Sequence, residues 1–136
     1  MSERTSLVAD VLASTQRLPL GVQVWVFLVL MPVNLAALVA LGQPLGPLVA
    51  ALAVGALAIN GVVMVLDRGF SLAMALPHVA LWVPLLGVVV YLLLGRDDVG
   101  AAYAAYLVVL LVVDAVSLWF DVPDAKRWLD GQRDTF

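Results

Sequence analysis

Apolar residues run almost unbroken through four segments of this chain, and polar residues gather in the gaps between them. Residues 18–66 contain no Asp, Glu, Lys or Arg. A transmembrane helix needs about 20 mostly apolar residues to cross roughly 30 Å of hydrocarbon, so this stretch is too long for one span and suits two. The break falls at Gly42-Gln43-Pro44-Leu45-Gly46-Pro47, where two prolines and two glycines mark a tight turn. One span is therefore expected near residues 22–41 and a second near 48–66. Residues 69–95 are again free of charge and hold a third span near 72–94. A charged turn, Arg96-Asp97-Asp98, precedes a fourth near 101–120. The expected fold class is all-α: one polytopic membrane domain over 1–136, with four transmembrane helices and a short amphipathic interfacial helix at each end.

The two flanking helices rest on weaker periodicities. Residues 5–18 place Leu7, Val8, Val11, Leu12 and Leu18 largely on one helical face, with Asp10 and Arg17 elsewhere, a pattern suited to a helix lying on the membrane surface. The alternative is a loosely ordered tail. Glu3 and Asp10 stand beside Arg4, and the apolar run after Arg17 is too long for a signal-peptide core, so no cleaved leader is expected. Near the other end, Asp121 is placed to cap a helix with Pro123 in its first turn, and Gly131 to end it. Val122, Ala125, Trp128 and Leu129 form its apolar side. This segment is expected to lie flat at the interface, with Trp25, Trp119 and Trp128 as aromatic anchors at the water–lipid boundary. Arg127, six residues beyond Asp121 and three beyond Asp124, is expected to pair with Asp124 and fix the segment against the end of the fourth span, with the Trp and Leu anchors contributing more than that exposed pair.

Composition sharpens the picture. Of the residues, 64% are hydrophobic and 12% charged, with a mean hydropathy of +1.07; ordinary soluble domains run at about 45–50% and about 25%. A net charge of −3 provides no basic patch for nucleic acid. Without cysteine there is no disulfide framework, thiolate metal site or thiol nucleophile. Lys and Arg are distributed unevenly: Arg4, Arg17, Arg68, Lys126, Arg127 and Arg133 share one side of the expected topology, and Arg96 alone stands on the other. The positive-inside rule then places both termini in the cytoplasm.

Each span carries a strongly polar residue: Asn34, Asn60, His78 and Asp114, with Gln23 and Ser117 as lesser members. An Asp near a helix centre costs about 2.5–3.5 kcal/mol on insertion scales, so these groups should face one another. In the fourth span Tyr103, Tyr106, Leu110, Asp114, Ser117 and Asp121 advance by three or four residues, which is one helical face. From the helical rise, Asn60 and Asp114 fall roughly 4–5 Å to the cytoplasmic side of the midplane. His78 lies further in that direction, and Asn34 lies slightly outside the centre. Asn60, His78 and Asp114 are thus placed for a single cluster. If Pro77 occupies a first helical turn, however, His78 sits at the interface and pairs with Asp67 or Asp121 instead.

Pro32 and Pro84 interrupt two spans and free the carbonyls of Leu28 and Ala80. Such carbonyls are either taken up by a neighbour at a kink or exposed to an ion. Ala51, Gly55, Ala58 and Gly61 permit close helix contact. His78, with Trp82 one turn on, is the one candidate axial ligand for a haem or chlorophyll metal. A lone histidine gives no bis-histidine haem, so no cofactor and no metal site are expected. No Gly-rich phosphate loop, HExxH, GxSxG or TVGYG-like filter occurs, so no catalytic residue is assigned and no enzyme is expected.

The stretches Pro77-His78-Val79-Ala80-Leu81-Trp82-Val83-Pro84-Leu85-Leu86 and Ser117-Leu118-Trp119-Phe120-Asp121-Val122-Pro123-Asp124-Ala125-Lys126-Arg127-Trp128-Leu129-Asp130-Gly131 resemble segments of small bacterial four-span inner-membrane proteins. The resemblance implies that location and a structural part for His78, Trp82, Asp121 and Arg127; it implies no activity. The leading expectation is a protein acting through contacts, as an accessory subunit of a membrane complex or a self-associating module, with lipid and other membrane subunits or copies of itself as partners. The competing one is a small proton- or cation-coupled transporter or channel centred on Asp114 with His78 and Asn60.

Overall fold

A computed structural model describes residues 6–132. Helix α1 (Leu7–Arg17) is followed by four helices long and apolar enough to cross a membrane. These are α2 (Leu20–Ala40), α3 (Gly46–Asp67), α4 (Ala75–Gly95, entered through a 3₁₀ turn at Leu72–Met74) and α5 (Ala101–Leu129). The protein is a multi-pass, all-α membrane protein.

The turn between α2 and α3 shows why the glycines and prolines stand where they do. Leu45 adopts a left-handed conformation (φ 53°), and a Cβ on Gly46 would collide with the carbonyl oxygens of Ala40 and Leu41. Only glycine fits that second position. Helix α3 then ends at Asp67, with Arg68 left-handed (φ 55°) and the Gly69 amide bonded back to the Met64 carbonyl at 3.0 Å, a six-to-one closure that satisfies a terminal carbonyl.

Helix α2 is irregular around Pro32. A π turn spans Trp25–Leu30, a regular turn covers Met31–Leu35, and a 3₁₀ segment finishes at Ala36–Ala40. A proline ring crowds the carbonyl four residues earlier and gives it no N–H; the wide turn ahead of Pro32 spreads the backbone where Leu28 would be crowded.

Helix α4 packs between α3 and α5, and α2 closes the bundle against α3 and α5. The centre is filled by Trp82, Leu85, Val89 and Leu92 of α4 and Leu107 and Leu110 of α5, all fully buried. Their counterparts on α2 and α3 are small (Ala37, Ala50, Ala53 and Ala56), which lets the backbones approach. In lipid, where burying apolar surface between helices gains little, such close packing is the main source of association.

Two terminal segments differ from the sequence-based expectation in detail. The C-terminal stretch is helical and ends at Gly131 (φ 105°), with Gln132 N–H bonded to Arg127 O and Gly131 N–H to Trp128 O. It is not a separate helix capped by Asp121, however: α5 runs without interruption through Pro123 to Leu129. The Asp121 carboxylate cannot cap because it is held by His78 and Ser117. At about 1.5 Å per residue α5 measures about 43 Å, well beyond the roughly 30 Å of hydrocarbon, so its charged last turns extend past the apolar layer. Helix α1, capped by Ser6 Oγ accepting from Ala9 N–H at 3.0 Å, docks on the α3–α4 turn. Ser14 is completely buried there and its Oγ accepts from Phe70 N–H at 2.9 Å, while Arg68 pairs with Asp10. Val8 and Leu12 point outward. Glu3, Arg4, Arg133 and Asp134 lie outside the described residues.

Candidate functional site

The inward face of α5 carries Tyr103, Tyr106, Leu110, Asp114, Ser117 and Asp121, all buried or half-buried. It divides the polar residues of the spans into two groups. Nearer the middle, the Asn34 amide donates to Asp114 Oδ1 at 2.7 Å and to the Leu30 carbonyl at 2.9 Å. Both side chains are wholly buried. Two turns before Asp114, Tyr106 O–H donates to the Val33 carbonyl at 2.7 Å, a second bond between α5 and α2. Asn34 Oδ1 and Asp114 Oδ2 have no partner among the described residues.

The second group is a chain across α3, α4 and α5. Asn60 Nδ2 lies 2.8 Å from His78 Nε2, His78 Nδ1 lies 2.8 Å from Asp121 Oδ2, and Ser117 Oγ donates to the same oxygen at 3.1 Å. With the Asn60 amide nitrogen as donor, Nε2 accepts and the ring proton sits on Nδ1, donated to the carboxylate. Trp82 stacks on the imidazole (centroids 3.9 Å apart, planes 6° apart) and directs its own N–H at the Ala53 carbonyl at 3.4 Å. Since both ring nitrogens are engaged, ligating a haem or chlorophyll metal through His78 would first require breaking one of these bonds. Asp114 thus meets Asn34, and His78 meets Asn60 and Asp121; the three residues placed together by depth fall into two groups.

No family model, curated protein or solved structure matches the chain. The chemistry must therefore be read from the side chains alone. Of the aromatic anchors, Trp119 is 79% exposed on the outer face of α5, whereas Trp25 and Trp128 are half-buried. Arg127 reaches Asp124 at 3.4 Å in an exposed pair, a contact type worth little. In the α4–α5 loop, the Arg96 guanidinium grips Asp98 with two bonds and holds that carboxyl below its ordinary range.

The docking of α1 through Ser14 and Gly69 was not foreseen from the sequence. A buried serine on an amphipathic helix looks like any other polar position, and the only signal was a glycine directly after the charged pair Asp67-Arg68.

Proposed function

We propose that the protein is a non-enzymatic membrane module of the bacterial inner membrane, with both termini cytoplasmic. On this reading it works through contacts with other membrane subunits or with copies of itself. The observation that carries the proposal is that the strongly polar residues of all four spans bond to one another or to a neighbouring carbonyl, around a centre filled by large side chains. Buried polar groups used in this way hold helices in register, each pair contributing about 0.6 kcal/mol on average. Outward, Ala51, Ala58 and Gly61 of α3 are exposed, leaving a face on which another helix can approach closely. Native mass spectrometry of the protein extracted from its own membrane tests the proposal: a co-purifying subunit or a homo-oligomer is expected, and a bare monomer would overturn it.

One observation favours the second reading, a proton- or cation-coupled role centred on Asp114 with His78 and Asn60. Among the described residues three buried oxygens lack a donor, Asn34 Oδ1, Asn60 Oδ1 and Asp114 Oδ2, and each sits on or beside a titratable group where a proton could be held. Proton or cation flux in liposomes that is lost in Asp114→Asn would support this reading. Absence of flux in the wild type under any gradient would remove it.

A further inference from the structure

Beyond the Asn34–Asp114 bond, towards the end of the bundle where α1 lies, α2 and α5 part. Between them is a cleft of about 550 Å³, within the roughly 300–1,000 Å³ range of small-molecule sites. Its walls are apolar, with Val22, Trp25 and Leu30 of α2 facing Val116 and Phe120 of α5. Val22, Val116 and Phe120 are exposed at its lip, so in a bilayer the cleft opens sideways into the acyl chains. Its polar end carries the carboxylates of Asp121 and of Asp124, the latter within 3.4 Å of Arg127, and among the described residues neither Lys nor Arg lines it.

The way Asp121 is bonded makes this end receptive. His78 and Ser117 both donate to Oδ2, and among the described residues no hydrogen bond is made to Oδ1. The Asp121 side chain is only 17% exposed. A carboxylate with one open oxygen, largely out of water and with no Lys or Arg on the cleft wall among the described residues, gains from a positive partner far more than it would in bulk solvent. A carboxylate or phosphate head would be repelled there, and a neutral head would gain only an ordinary hydrogen bond. The half-buried Trp25 also lines the cleft.

We propose that this cleft binds a lipophilic amine, its apolar body held between α2 and α5 and its protonated nitrogen on Asp121 Oδ1. This holds whether or not the protein also serves as a subunit of a larger complex.

The test uses the full chain in phosphatidylcholine nanodiscs, with dodecylamine, dodecanol and dodecanoate as probes that share a tail and differ in the charge of the head. Saturating dodecylamine is expected to raise the melting temperature by about 5 °C, as binding to the folded state alone should, while the alcohol and the carboxylate leave it unchanged. Two variants separate binding in the cleft from a general effect on the bilayer. No atom lies within 4 Å of the position a Cβ on Gly21 would take, so Gly21→Leu should fold while filling the mouth of the cleft. Asp121→Asn keeps a hydrogen-bond acceptor but removes the charge. Both variants should lose the amine-dependent shift. Equal shifts from all three probes, no shift from dodecylamine, or a shift that survives in either variant would overturn the proposal.

Discussion

The Asn34–Asp114 pair shows how a single residue choice is constrained inside a membrane. The amide spends both of its hydrogens, on Asp114 Oδ1 and on the Leu30 carbonyl, and what remains is one acceptor on each side chain. One further donor supplied from position 114 to Asn34 Oδ1 would satisfy that remaining amide oxygen. An asparagine at 114 carries such a donor permanently and removes the charge. Asp114→Asn is therefore expected to melt at or above the wild-type temperature in detergent. Asp114→Leu leaves the buried Asn34 amide short of a partner and should lose about 1–3 kcal/mol, read as a clear drop in melting temperature. An Asn variant as unstable as the Leu variant would show that the carboxylate itself, through its charge, holds α2 to α5.

At the level of elements, the four spans were legible because their signals are coarse and redundant: charge-free runs of the right length, a turn with two prolines and two glycines, and one polar face on the last helix. What escaped the sequence depended on a choice between two partners for one group. From the sequence Asp121 reads both as a helix cap and, if Pro77 lies in a first helical turn, as a partner for His78; α4 starts at Ala75 with Pro77 in its first turn, and the pairing with His78 is the one formed. Helix α5 consequently continues through Pro123. The docking of α1 is of the same kind, since it depends on a close approach that no periodicity encodes. A Cβ on Gly69 would lie 2.6 Å from Ser14 Cβ and 2.7 Å from Ser14 Oγ, and the glycine itself adopts φ 153°. Gly69→Ala should push α1 off the α3–α4 turn, costing about 1–3 kcal/mol as an overpacked contact does. Limited proteolysis within Leu7–Arg17 is the direct measurement. Unchanged protection in the variant would mean that the Arg68–Asp10 pair suffices to hold α1.

For the whole molecule, the remaining question is which way the bundle faces, and the fold groups the relevant charges. Helix α1, the α3–α4 turn and the end of α5 lie at one end of the bundle, bringing Arg17, Arg68, Lys126 and Arg127 together; the α2–α3 turn and the α4–α5 loop lie at the other, with Arg96. Several of these cations are paired with carboxylates, Arg68 with Asp10, Arg127 with Asp124 and Arg96 with Asp98. A count of net charge would therefore blur the asymmetry. Orientation follows Lys and Arg near the span ends, and acidic residues contribute little, so the pairing leaves the direction unchanged and the basic end is expected in the cytoplasm. Single cysteines report this directly in a chain that has none of its own. Gly42→Cys and Asp98→Cys, both at exposed turn positions, should react with a membrane-impermeant maleimide in intact cells. Gln132→Cys should react only after the cells are opened. The reverse pattern would overturn the orientation while leaving the four-span fold intact, and labelling of all three in intact cells would point to a mixture of both orientations.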